Sequence, residues 1–245
     1  MLTIVLWLWH DDQCRTQYTP EHVSTAARMI DRHLTMPHRI VLLTDQPDAE
    51  YDPLIEPIKL WDDWRSVQND YWRAEFPQCY VRLKAFSHEM REILGPRFVS
   101  IDIDCVVVGS LDEILSRTED FLICRRARVT KADFYDPYQA SMWMMDVGCR
   151  AKVWEKFQGE RSLQKLAGKK HEKLYKKTDQ GWILYTLGPN EAGWTMGSGV
   201  YHWAWLDENE LTNDLPSNAR IVFFNGAVKP WTMDEPPSWV TENYL

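Results

Sequence analysis

Asp102-Ile103-Asp104 closes an apolar run, Phe98-Val99-Ser100-Ile101. Side chains at i and i+2 of a strand share a face, so the spacing predicts two carboxylates side by side at a strand end. They repel each other, and leaving both charged and unpaired in a dry setting would cost several kcal/mol each. A solvent edge, basic partners or a bound cation would relieve this. Oxygen-only donors suit a hard ion, Mg²⁺ or Mn²⁺, whose remaining ligands are water or substrate phosphate. A pair of acidic turn residues is the plain alternative, and the motif alone leaves the two readings level.

The elements that must position this pair follow an α/β pattern. Thr3–Trp9 is short and almost wholly β-branched, aromatic or leucine, a buried strand stopped by His10-Asp11-Asp12. Thr19-Pro20-Glu21 opens a helix to about Leu34, with Val23, Ala26, Ala27 and Ile30 on its apolar face, and a second strand spans Arg39–Thr44. Strand, helix, strand with short connections is a βαβ unit with a parallel neighbour. A weaker strand covers Ile55–Leu60. An amphipathic helix is expected over Cys79–Leu94, carrying Leu83, Phe86, Met90 and Ile93 on one face, and Gly95-Pro96 ends it. Cys105–Val108 continues the chain as a strand before a short helix on Leu111–Leu115. The second half predicts a Met142–Met145 strand, helices near Ala151–Phe157 and from Asp179, and a last strand over Arg220–Phe224. No internal repeat or linker divides the 245 residues, so one domain with a mostly parallel, helix-flanked sheet is expected.

Composition narrows the class. A chain that is 44% hydrophobic, with 13 Trp, 10 Tyr and 8 Phe, is globular rather than disordered. No apolar run approaches the ~18 residues of a membrane span, and the N-terminus lacks a basic segment or cleavage site, so a cytoplasmic location is expected. The 36 acidic against 28 basic residues give a net charge of −8, which argues against bulk polyanion binding. The five cysteines, Cys14, Cys79, Cys105, Cys124 and Cys149, form neither a CxxC pair nor an even framework and read as reduced thiols. Arg161–Lys177 is rich in lysine. Its default is a solvated face, and its sharper reading is contact with an anionic acceptor such as a phosphorylated lipid head group or DNA.

Tyr80-Val-Arg-Leu-Lys-Ala-Phe86, the Asp102/Asp104 strand and Gly109-Ser-Leu-Asp-Glu-Ile-Leu115, taken in order, resemble the donor-binding half of a GT-A-fold, Rossmann-like nucleotide-sugar glycosyltransferase. Ser141–Gly148 is similar to the strand lining the donor-sugar pocket, Thr178-Asp-Gln-Gly-Trp182 to the DQ segment, and Phe224–Trp231 to the HxGxxKPW element of glycosyltransferase family 8. The resemblance implies a metal-dependent transfer of a sugar from a nucleoside-diphosphate donor, a UDP-sugar first among them, to a hydroxyl acceptor. Residues 1–115 would hold nucleotide and metal, and 116–245 the donor sugar and acceptor. Asp102 and Asp104 would ligate Mn²⁺ or Mg²⁺, the ion meeting the charge that grows on the leaving diphosphate. Arg82, Lys84, Gly226, Lys229 and Trp231 would line the donor phosphates and sugar, and Asp179 and Gln180 the transfer step. Trp9, Thr44 and Asp45, at the ends of the first two strands, would hold base and ribose. Asp179 also fits a helix N-cap, Lys84 a solvated helix face, and Gly226 an ordinary surface turn. The family's metal-ligating histidine is replaced by Phe224, so Asn225 serves as third ligand only if the turn shifts by one residue.

Two other readings stand beside this one. Asp102-Ile-Asp-Cys-Val106 also fits the nucleophile loop of haloacid-dehalogenase-like phosphatases, with Asp102 attacking phosphorus, although that loop normally follows a domain's first strand. A non-catalytic sugar- or nucleotide-binding module is the third. Trp194, Trp203, Trp205 and Trp231 around Gly197-Ser-Gly199 suggest either an acceptor-side aromatic patch or core packing.

Overall fold

The computed structural model describes residues 1–12, 14, 16–67, 69, 79–126, 137–168 and 175–245. Strand β1 (Leu2–Leu8) leads through helix α1 (Pro20–His33) to β2 (His38–Thr44) and β3 (Ile55–Lys59). The segment Cys79–Phe86 winds as 3₁₀ turns, followed by a further turn at His88–Met90 and the single α-helical turn α2 (Arg91–Leu94). Then come β4 (Arg97–Ile101), β5 (Cys105–Val107), α3 (Asp112–Leu115), β6 (Phe121–Arg125) and β7 (Tyr138–Asp146). The remainder is α4 (Lys152–Glu155), α5 (Glu160–Ala167), α6 (Asp179–Leu187), β8 (Val200–His202), α7 (Trp203–Glu208), β9 (Ile221–Phe223) and α8 (Ser238–Asn243).

The main sheet runs in the order β3-β2-β1-β4-β7-β6, its first four strands parallel and β7 antiparallel to β4. A second, three-stranded sheet runs β5-β9-β8. This is the α/β class expected from the βαβ pattern. Both faces of the main sheet are covered, which is why its central strands read as continuous apolar runs. Ile4, Leu6, Leu42, Val99 and Ile101 pack on the α1 side, while Val5, Trp7, Val41, Leu43 and Phe98 pack on the opposite face with Tyr80, Leu83, Phe86 and Trp182. Much of the indole content lies here: Trp143 stacks on Phe86 with centroids 4.8 Å apart, and Trp182 meets Phe157 at 5.3 Å.

The chain leaves β1 toward β2 on one side, while β4 joins β1 on the other, so the strand order reverses between β1 and β4. Parallel α/β sheets open a crevice at such a switch point, outside the carboxyl ends of the strands. Here those ends deliver Trp7-Leu8-Trp9 and Asp102.

Three local expectations are corrected. The segment 79–94 is not one amphipathic helix: over 79–86, Tyr80, Val81, Arg82, Leu83, Ala85 and Phe86 are all buried, so that stretch has no solvent face to alternate with, and tight 3₁₀ turns thread it against α4 and α6. Asp102 and Asp104 do not share a strand face, because β4 ends at Ile101 and the two lie in the bend that crosses from the main sheet to β5. The Met142–Met145 strand is longer, Tyr138–Asp146.

Candidate nucleotide and metal site

A cleft of ≈ 190 Å³ opens at the switch point, lined by Trp7 and Trp9 from the end of β1, by Tyr18 and Cys14 before α1, and by Arg82, Asp102, Asp104, Asn225 and Lys229. Asp102 is fixed at its backbone, its N–H donating to the Ser141 carbonyl at 2.8 Å, and Asp104 is fixed by its carbonyl accepting from Phe224 N–H at 2.8 Å. Each carboxylate has its own cation. Arg82 Nη1 donates to Asp102 Oδ1 at 2.7 Å, and Lys229 Nζ donates to Asp104 Oδ2. Tyr18 OH donates to the same Asp104 oxygen at 3.0 Å, and Lys229 Nζ also donates to the Phe224 carbonyl at 2.6 Å. Burial pushes the Asp102 carboxyl up to about 7 against the pull of Arg82, with the neighbouring charges of Asp104 and Asp179 adding to the rise. Burial together with the Asp104 charge holds the Tyr18 phenol protonated, hence a donor.

Arg82 is the hub. Besides Asp102, its Nε and Nη2 donate to Asp179 Oδ2 at 3.2 and 2.7 Å, so one buried guanidinium ties the bend after β4 to the first residue of α6. Asp179 is not the helix cap. Thr178 is, its Oγ1 accepting from Gly181 N–H at 3.2 Å, which releases the Asp179 carboxylate for Arg82. Gly181 is required for this arrangement, because a Cβ there would press into the Lys176 carbonyl. Gly181→Ala is therefore expected to shift the first turn of α6 and to cost about 1–3 kcal/mol, seen as a lower urea midpoint.

The other expected site residues fall in different places. Gln180 Oε1 accepts from Ala140 N–H at 2.9 Å, beside Asp179 but bonded toward β7. Lys84 points away from the cleft, bonded to Asp63 at 2.7 Å and lying 3.5 Å from Glu89. Thr44 is fully buried and its Oγ1 accepts from Gln46 N–H at 3.1 Å, a turn contact. Asp45 accepts from His10 N–H at 3.1 Å and from Arg65, tying the ends of β1 and β2 together. Gly226 sits in an exposed turn where an added Cβ meets nothing within 4 Å, so this structure gives no steric reason for glycine. Trp231 stacks on His22 at 4.0 Å and meets Tyr18 edge-on at 5.7 Å, behind the cleft wall. Of the tryptophans considered for an acceptor patch, Trp194 is fully buried with its Nε1–H on the Ile114 carbonyl, and Trp203 stacks on Phe224 at 5.1 Å. Of the basic stretch, Lys169, Lys170 and Lys173 lie outside the described residues.

Sequence reasoning does not single out Tyr18. It lies in the loop leaving the carboxyl end of β1, where the crevice rule places ligand contacts, and that rule is the available signal.

The donor chemistry can be tested against a divalent ion. Asp102 Oδ2 and Asp104 Oδ1 carry no hydrogen bond among the described residues, and both residues line the cleft. No third His, Cys, Asp or Glu joins them among the described residues. Phe224, at the expected histidine position, is fully buried with its ring in the core. Asn225 lines the cleft, but its Oδ1 pairs with His202 Nδ1 at 2.8 Å and its Nδ2 donates to Ser141 Oγ at 2.6 Å. The set fits a hard, oxygen-seeking ion whose coordination a diphosphate and water complete.

No protein-family model and no curated protein sequence matches the chain. Its fold is that of the GT-A glycosyltransferases. It is similar to an active-site mutant of LgtC, with a TM-score of 0.64 and 12% identity over 98% of this chain and 93% of that one. The galactosyltransferase LgtC in complex with donor and acceptor sugar analogues gives 0.60 at 12% identity, covering 95% and 90%. The glycosyltransferase GlyE of Streptococcus pneumoniae TIGR4 in its apo form gives 0.59 at 12%, covering 98% of this chain and 58% of that chain. At these identities the likeness is one of fold. No described helix is long and apolar enough to cross a membrane.

Proposed function

We propose that the protein is a metal-dependent glycosyltransferase that moves a sugar from a nucleoside-diphosphate donor, a UDP-sugar first among the candidates, to a hydroxyl acceptor. The observation that carries this reading is the convergence of Asp102, Asp104, Arg82 and Lys229 on one cleft at the switch point of the GT-A sheet. Residues 1–115 supply the nucleotide and metal side of the site, and 116–245 supply Asp179, Gln180 and Lys229. LgtC, which shares the fold, was crystallised with donor and acceptor sugar analogues, which supports a sugar donor here as well.

Asp102 and Asp104 would hold Mg²⁺ or Mn²⁺, and Asn225 lines the same cleft. The ion would supply Lewis-acid stabilisation of the leaving diphosphate. The chain's own groups do the rest. Lys229 places a second positive charge where the diphosphate leaves, and Trp9 offers an aromatic face to the base. Arg82 holds Asp179 in one orientation, so that its carboxylate faces the donor sugar, accepting a hydrogen bond from a sugar hydroxyl or taking part in transfer. The phosphatase reading, with Asp102 as nucleophile, is not carried forward, because Asp102 follows the fourth strand of a GT-A sheet rather than a first strand.

Thermal shift with a panel of nucleoside diphosphates and Mg²⁺ or Mn²⁺ tests the proposal. A nucleotide at a hundred times its dissociation constant should add about 2.7 kcal/mol of stability. No shift with any nucleotide in the presence of metal overturns the reading, and sugar binding that persists in EDTA without turnover favours a non-catalytic module.

A further inference from the structure

The two cations of the cleft are held in different ways. Arg82 is locked: its side chain is 8% exposed and shares three hydrogen bonds between Asp102 and Asp179. Lys229 is equally buried, 4% exposed, yet among the described residues its ammonium donates to one carboxylate and one carbonyl, lies 5.7 Å over the Tyr18 ring, and stands at the end of the exposed turn 225–228. An ammonium is a compact point charge on a flexible stem with three donors, so it can change partner where a forked guanidinium cannot.

Resting on the reading of this cleft as a metal–nucleotide site, we infer that Lys229 is a resident counter-ion of Asp104 that must pass to the diphosphate before a divalent ion can take that carboxylate. A metal ion arriving alone meets an ammonium already on Asp104 and is repelled by it at contact distance. A metal ion arriving with a diphosphate brings the oxygens that Lys229 needs: the ammonium leaves the carboxylate for the phosphate, and the metal takes its place. Neither buried charge is left unpaired at any stage, which is the condition that buried ions must meet. Phe224 sharpens the dependence, because the residue at that position is a buried phenyl ring and not an imidazole that could anchor the metal when nucleotide is absent. Metal and nucleotide therefore strengthen each other's binding by the same factor, as linkage requires.

Manganese EPR, which counts free Mn²⁺, reads this directly. In the wild-type chain UDP is expected to tighten Mn²⁺ binding about tenfold or more, within the usual range of such couplings. Lys229→Met without nucleotide should bind Mn²⁺ about tenfold more tightly than wild type without nucleotide, while Lys229→Arg, which keeps the charge, should not. A folded Lys229→Met chain that binds Mn²⁺ no more tightly than wild type overturns the inference, as does tight Mn²⁺ binding by wild type alone. Should Lys229→Met not fold, the lysine ammonium ¹⁵N signals of the wild-type chain read the same exchange, with Lys229 assigned by its loss in Lys229→Arg. That signal should move on adding Mg²⁺ with UDP and stay with Mg²⁺ alone, and an unmoved signal overturns the proposal. If UDP binds under no metal condition, the nucleotide-sugar reading fails instead, and the Lys229→Met arm, which needs no nucleotide, still decides this one.

Discussion

Arg82→Met is expected to destabilise the fold by about 3–5 kcal/mol, the usual cost of removing one partner from a buried ionic cluster. The side chain is 7% exposed as a residue and stands between two carboxylates, so its loss leaves Asp102 and Asp179 facing each other without a cation. A methionine fills a similar volume, which separates lost charge from lost packing. The loss should grow as the pH rises through about 7, where the wild-type Asp102 ionises against Arg82, and shrink on acidification, where Asp102 is protonated with or without the guanidinium. Urea denaturation at pH 5 and pH 8 measures both the size and the trend, and an equal loss at the two values would remove the electrostatic explanation.

Asp102→Asn should have the opposite profile, with activity lost and the fold kept. The substituted side-chain amide still offers an oxygen to Arg82 Nη1, and Arg82 then balances Asp179 one to one. In the proposed reaction, loss of this carboxylate from the metal site forfeits several kcal/mol of transition-state stabilisation, about a hundred- to a thousandfold in the rate of nucleoside diphosphate release from a nucleotide sugar. The wild-type carboxyl is raised in the fold from 3.8 to about 7. A raised acid contributes stability that is complete below its unfolded value and is lost as the pH climbs through its folded one. The variant lacks that loss, so its stability relative to wild type should improve between about pH 4 and 7 and then level off. Turnover within threefold of wild type would exclude Asp102 from the reaction.

How much of this is legible in the sequence depends on the range of the interaction concerned. Strands β1, β2 and β4 and helix α1 follow from short apolar runs and a Thr-Pro start, all local signals, and the order of the elements is enough to place the crevice. The segment 79–86 misleads because its periodicity resembles one buried face, while in the fold it is surrounded. The Asp102/Asp104 pair is visible because acid is rare after such a run, but its division between Arg82 and Lys229 is not. Those contacts join residues far apart along the chain, and no spacing rule reports them. Asp179 shows the limit from the other side: its position suggests a cap, and only Thr178 taking that task leaves it free for Arg82.

The ion pairs of the cleft span 97 residues from Arg82 to Asp179 and 125 from Asp104 to Lys229. Contacts so distant in the chain are slow to close. Maturation of the cleft therefore waits on the docking of α6 and the Lys229 turn, and a growing polypeptide that has reached β5 would hold its acidic pair without Lys229 to quench it.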